Sequence, residues 1–339
     1  MKIASAALSS PPPGPTFAFA RAAGRRFALL PSNRSRLARA QEHLGVAFPD
    51  LDVDARRELA IAAYQHLFVL AAEIARCPRT LNVDSLLGHV ELCDVAKGLR
   101  TIVGGRPCIV MTGHCGNWEV LASTSGLLGL PLHAVYRPLD LKPLDRWVRE
   151  TRSRPGLTLV DKFGAVTQMP SLVADGACPA FVADQNAGDR GLFVPYFGRL
   201  ASSYKSIGLL AMQFQAQLVV GAAYRLPCVD GTLRYRFRIF DTYGPEDWNT
   251  HPDPLFYLTA RYRRALEMAV RDAPEQYLWM HRIWKSRPRH ERLGRPFPDR
   301  LRENMRLLPW MSEDDIARTE ELSGRDAATL AERGVTKLA

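Results

Sequence analysis

Apolar and polar residues change their spacing along this chain, and the changes mark out a succession of elements. From Arg21 to Leu44 the pattern is basic and helix-compatible, with Leu29, Leu30, Leu37 and Leu44 as apolar points. Leu59, Ala63, His66, Leu67 and Leu70 then recur at helical spacing, which predicts a long helix from an N-cap at Asp54 to Arg76, stopped by Pro78. After a less regular segment, short apolar runs at 108–112, 132–136, 157–160 and 179–183 read as strands. Longer stretches at 118–128, 143–154 and 165–175 lie between them and read as helices. Short strands spaced by helices imply right-handed crossovers, so the expected fold is α/β, with a mostly parallel central sheet flanked by helices. A helix at 203–216 and strands at 217–225 and 232–241 follow. In the second strand Leu233, Tyr235, Phe237 and Ile239 alternate with Arg234, Arg236 and Arg238, the pattern of an antiparallel extension with one wet, basic face. A helix at 254–271 completes the regular part. Residues 1–20, broken by prolines, read as a disordered leader, 21–302 as one domain and 303–339 as a polar, helical C-terminal tail.

Composition narrows this picture. With 339 residues and 47% hydrophobic content, the chain can bury a sizeable core. Its formal charge of +10 is concentrated in 21–39 and 281–302, which suits nucleic acid, an anionic membrane surface, an acidic protein or simply a solvated face. Six cysteines without a C-x-x-C pair indicate a reducing compartment, and neither a disulfide framework nor a zinc site. The proline-broken N-terminus does not read as a signal peptide. The apolar stretch 59–75 carries Gln65, His66 and Glu73 and does not read as a membrane span, so any membrane contact is expected to be peripheral.

Candidate chemistry centres on I-V-M-T-G-H-C-G-N-W-E-V at 109–120, a strand, a glycine turn and the start of a helix. His114 falls at the carboxyl end of a buried strand, where open α/β sheets carry ligands. Glu119, in the first turn of the helix, is placed to fold back onto the imidazole and make His114 a general base. Arg137 ends the next strand and suits an anionic substrate group or a neighbouring helix. Arg149, Arg152 and Arg154 form a cationic patch, for a phosphate or for solvent. Asp184 ends the fourth strand at the same edge, as a site residue or a turn cap. The apolar run 193–197 walls a cavity or belongs to the core. Aromatics and cations mixed at 279–288 fit a lipid-headgroup belt or base stacking.

Taken together, G-H-C-G-N-W-E (113–119), Y-R-P (136–138), R-S-R (152–154), A-D-Q-N…G-L-F-V-P-Y-F-G (183–198) and W-M-H-R-I-W-K-S-R-P (279–288) resemble the successive blocks of the late acyltransferases of lipid A biosynthesis. That group, the lauroyl/myristoyl acyltransferases, includes phosphatidylinositol mannoside acyltransferases, and the likeness spans about residues 25–290. The resemblance implies a glycerolipid-acyltransferase-type α/β fold attached peripherally to the cytoplasmic face of the cell inner membrane. It implies an acyl carrier protein or coenzyme A thioester as donor and a hydroxyl of a membrane glycolipid, lipid A precursor-like, as acceptor. His114 matches the family's base and Glu119 its orienting partner. Arg152 matches an arginine important for activity and Asp184 the aspartate after the fourth strand. Asn117 and Arg137 match motif positions, and these two with Arg152 and Asp184 are expected to bind substrate. The usual N-terminal membrane span is missing or degenerate here, and the tail beyond Pro298 is not part of the pattern.

The expected reaction is direct acyl transfer, with the oxyanion held by backbone N–H groups near Gly116 and Asn117 or by an arginine. It calls for no cofactor and no metal, since H-x-x-x-x-E lacks the i, i+4 histidine pair of zinc peptidases. Cys115 as a nucleophile is disfavoured because sequence neighbours diverge in direction. Two rival readings remain: a thioesterase or lipid hydrolase using the same base, and a non-catalytic anionic-lipid or nucleic-acid binding protein. No specific nucleic-acid partner is expected.

Overall fold

The computed structural model describes residues 12–138, 140–153, 156–228 and 232–338. The chain opens with three helices, α1 (Pro13–Ala28), α2 (Arg34–Ala47) and α3 (Val53–Thr80). It continues through β1 (Val90–Cys93), α4 (Ala96–Val103), β2 (Cys108–Thr112), α5 (Trp118–Leu127), β3 (Leu132–Tyr136), α6 (Lys142–Ser153), β4 (Thr158–Asp161), α7 (Lys162–Ala174) and β5 (Cys178–Val182). A hairpin of β6 (Leu192–Tyr196) and β7 (Arg199–Ser203) precedes α8 (Lys205–Phe214), β8 (Gln217–Arg225), β9 (Tyr235–Tyr243) and α9 (Pro254–Asp272). Helices α10 (Asp299–Arg306) and α11 (Glu313–Arg333) close the chain. Seven strands form one sheet in the order β1-β9-β8-β2-β5-β3-β4, with β8 and β9 antiparallel and every other pair parallel. This is the α/β fold that the alternation predicts.

Strand alternation sorts the core into two layers. On β2 and β8, Ile109, Met111, Leu218, Val220 and Ala222 join the large cluster with α9 and the β6–β7 hairpin. Cys108, Val110 and Val219 face the other way, with Ile102 of α4 and Ala122 of α5. Burying such aliphatic side chains stabilises a fold by about 1.5–3 kcal/mol each.

Several expectations are corrected. Positions 13–20 of the expected leader are the first turns of α1, with Phe17 and Ala20 buried, while residues 1–11 lie outside the described residues. The N-cap of α3 is Asp52, whose side chain accepts from the Ala55 N–H, and Asp54 sits in the first turn. That helix runs past position 78 to Thr80. By length and composition 53–77 is able to cross a membrane, yet Ala60, Ile61, Ala63 and Tyr64 pack in the core with Leu37 and Leu44 of α2. The arginines of β9 are matched by acids: Arg236 pairs with Glu91 at 2.8 Å and Arg238 with Asp94 at 3.3 Å. The aromatics of 279–288 are core residues, Trp279 and Trp284 being buried beside Tyr196 and Phe197. The expected boundary at 302/303 falls inside α10. The tail is helical, and α11 docks through a buried ion-pair cluster, with Asp326 meeting Arg199 and, at 2.7 Å, Arg287.

Candidate active site

The site grows from the parallel pairing of β2 and β5. Thr112 lies opposite Val182, so the residues two beyond each strand, His114 and Asp184, emerge side by side at the carboxyl edge. Gly113 lies against them, a Cβ there standing 3.4 Å from the Asp184 side chain, in ordinary contact. The His114 backbone N–H donates to Asp184 Oδ2 at 3.1 Å, and Nδ1 lies 2.7 Å from Oδ1. Burial alone would push the Asp184 carboxyl upward in pKa, but the charge of His114 and these two hydrogen bonds outweigh it and hold the group well below the usual range. An ionised carboxylate only accepts, so Nδ1 carries a proton, and in the neutral imidazole Nε2 is the nitrogen left with the lone pair.

Asp184, and not Glu119, is therefore the partner of the imidazole. Asn117 caps α5, and the first turn it starts aims Glu119 at α6, where Arg152 donates from Nε to Oε2 at 2.8 Å and from a second nitrogen to Oε1. Trp118 Nε1 donates to the same carboxylate at 3.0 Å. Glu119 thus ties α6 to α5 beside the histidine.

Asn117 is also corrected as a substrate-binding residue. Fully buried, it accepts from the Glu119 and Val120 N–H groups through Oδ1 and donates from Nδ2 to Glu73 at 2.9 Å. The oxyanion donors expected at this turn are already engaged: the Gly116 N–H donates to the Gln276 carbonyl at 2.8 Å and the Asn117 N–H to that of Ala223 at 2.6 Å. Cys115 is buried on the far side of the turn, its Sγ directed at the Ala269 carbonyl, and burial pushes its thiol pKa well up. It is not an activated nucleophile.

An apolar cavity of about 740 Å³ runs between the sheet and the helices on that face, lined by Val110, Ala134, Ala180, Val219, Leu99 and Leu121 among others. His114, Gln185, Arg137 and Arg152 are among its polar lining residues, with Glu119, Lys162, Tyr204 and Ser206. The run 193–197 does not line it. Arg137 is 67% exposed at the rim, 3.9 Å from Asp140. Arg149 lies over the Tyr136 ring, and Arg154 lies outside the described residues. Among the described residues, no cluster of three or more His, Cys, Asp or Glu side chains is placed to hold a metal.

Four contributors escape a reading of the sequence. Gln185 Nε2 stands 3.5 Å from His114 Nε2 and 3.3 Å from His281 Nδ1. His281 stacks edge-on against His114 at 5.1 Å, and burial together with that neighbour lowers its pKa to about 4, so it is neutral near pH 7. Arg263, fully buried, donates to the Asp184 carbonyl at 2.7 Å. Glu73, fully buried, gathers Arg225, Tyr235 and Asn117 behind the turn. Gln185 and His281 lie inside the sequence blocks singled out above, whereas Arg263 and Glu73 sit in helices whose pattern gives no sign of them.

An oriented histidine at the carboxyl edge of an α/β sheet, opening on an apolar cavity, has the form of an enzyme site for an apolar substrate. The sequence profile of the bacterial lipid A biosynthesis acyltransferases matches residues 13–286, and the chain belongs to that family; it is an acyltransferase. It is 24% identical over 254 residues to the lipid A biosynthesis lauroyltransferase of Escherichia coli (strain K12), covering 73% of this chain and 78% of the relative. It is likewise 24% identical over 261 residues to the palmitoleoyltransferase of that organism, covering 74% and 78%. To the lipid A biosynthesis acyltransferase of Haemophilus influenzae it is 25% identical over 260 residues, covering 74% and 76%.

Proposed function

We propose that this acyltransferase moves a fatty acyl chain from an acyl carrier protein or coenzyme A thioester to a hydroxyl of a membrane glycolipid of the lipid A precursor type. His114 Nε2 takes the hydroxyl proton, the oxygen attacks the thioester carbonyl, and the tetrahedral intermediate collapses with cleavage of the C–S bond. The leaving thiolate takes the proton back from the imidazolium. Asp184 keeps the tautomer and stabilises the imidazolium, while the Glu119–Arg152 pair holds α6 against α5 at the mouth of the cavity. The observation that carries this reading is a histidine whose Nδ1 is held by Asp184 and whose other edge lines an apolar cavity.

The acceptor class follows from the relatives, which act in lipid A biosynthesis, and from the rim. Arg137 and Lys162 there suit an anionic headgroup. Beside them Leu141 is 61% exposed and Phe163 80%, a combination suited to peripheral docking on the cytoplasmic face of the inner membrane.

Purified protein, acyl thioester and glycolipid acceptor are combined and the products weighed by mass spectrometry. The expected result is one acyl increment on the acceptor, with either donor tested in turn. His114→Ala is expected to lower turnover by at least about 10²–10⁴-fold with an unchanged circular dichroism spectrum. Free fatty acid released at the same rate without acceptor would instead make the protein a thioesterase, and a function untouched by His114→Ala would make it a binding protein.

A further inference from the structure

Acyl transfer needs a donor aimed at the oxyanion that develops on the carbonyl oxygen, and three backbone N–H groups of the histidine turn are committed elsewhere. Those of His114, Gly116 and Asn117 go to Asp184, Gln276 and Ala223. Arg152 is engaged twice by Glu119, and Arg137 is largely exposed, where water screens its charge. We propose that the side-chain amide of Gln185 is the oxyanion donor, a catalytic residue for the acyl transfer inferred above, on which this assignment rests.

Three observations converge on it. Gln185 lines the cavity, and its Nε2 lies 3.5 Å from His114 Nε2, the nitrogen that receives the proton. The orientation of the amide follows from the His114 side: Asp184 takes the Nδ1 proton, so in the neutral imidazole Nε2 can only accept, and the NH₂ end of Gln185, which also stands 3.3 Å from His281 Nδ1, faces the reacting nitrogen. The residue also stands on a fixed mount. Arg263 donates to the carbonyl of Asp184 at 2.7 Å and to that of Gln185 at 3.1 Å, and is itself anchored on Ser203 Oγ at 2.8 Å and the Ser202 carbonyl at 3.1 Å.

The contact to His114 is at the outer limit of a hydrogen bond. An incoming hydroxyl that takes the Nε2 lone pair therefore displaces a weak interaction and frees one N–H of Gln185, while the other stays on His281. As the hydroxyl oxygen bonds to the carbonyl carbon, the C=O electron pair moves onto oxygen beside that N–H. On collapse the pair re-forms C=O, the C–S bond breaks, and the thiol leaves with the proton from His114.

The test uses the full-length chain with Gln185→Leu and Gln185→Glu. For Gln185→Leu, kcat is expected to fall by about 10²–10³-fold with KM for both substrates within about threefold of wild type. Gln185→Glu keeps the shape, so it carries the test if the leucine variant does not fold. Its carboxylate repels the oxyanion and favours imidazolium, giving a similarly low kcat and an acidic limb of the pH–rate profile moved to higher pH. A folded variant of either kind with wild-type kcat, or one whose loss lies wholly in KM, overturns the assignment. Failure of the acyl-transfer reading shows instead as wild-type protein that leaves the acceptor unacylated.

Discussion

Two carboxylates compete for the histidine in the sequence, and the backbone chooses between them. Asp184 reaches His114 because two parallel strands end in register; Glu119, five residues on, is carried by the first turn of α5 toward Arg152. The difference is measurable in the pH dependence of kcat/KM. The acidic limb reports the imidazole of the free enzyme. Asp184→Asn removes the charge that favours imidazolium, so the limb is expected to move to lower pH while turnover falls by about 10²–10⁴-fold. Glu119→Gln touches Arg152 and not the ring, so it is expected to leave the limb in place and to act through the setting of α6. A limb shifted by Glu119→Gln and unmoved by Asp184→Asn would restore Glu119 as the partner.

At the scale of elements, the strand-to-helix turn concentrates most of the constraint. Gly116 has φ +65°, and a Cβ on it would meet the Ala223 carbonyl oxygen at 2.0 Å, so Gly116→Ala is expected to destabilise the fold by more than about 2 kcal/mol in denaturant melts. Asn117→Ala loses an N-cap and a hydrogen bond to buried Glu73, which amounts to about 2–4 kcal/mol. Periodicity alone located β2, β3 and β8 within the chain, because their side chains are sorted by the two layers they separate. It passed over β1, a four-residue edge strand too short to show alternation. It also left strand order unseen: β5 lies between β2 and β3, and only that order brings Asp184 to His114. Composition misdirected the reading of 279–288, because tryptophan beside arginine looks alike whether it faces lipid or, as Trp284 does under Arg199, packs inside. Arg263 and Glu73 were illegible for the opposite reason, being polar residues in amphipathic helices whose burial is decided by distant partners.

Across the whole molecule the fold imposes a pH dependence of its own. Burial lowers the pKa of His43 to about 3 and, with help from neighbouring charge, those of His281 and His290 to about 4; His66 is also held well below its ordinary value. In the unfolded chain each returns to about 6.5. Folded-state pKa values below the unfolded ones mean that the unfolded chain binds more protons between pH 6.5 and 4. Stability is therefore full above neutrality and declines as pH falls through that window, by up to about 1.4 kcal/mol per pH unit for the fully buried His43 and His66 and by less for half-buried His290, which solvent screens. Glu291 works the other way: burial raises its pKa, so the folded protein takes up that proton before the unfolded chain does. One acid offsets only part of four histidines, so the net slope keeps its sign. Urea melts at pH 7 and pH 5 are expected to show a lower midpoint at pH 5, and His43→Phe, which removes one of the buried imidazoles, is expected to narrow the gap between them. A midpoint that rose on acidification would mean that these histidines are charged inside the fold.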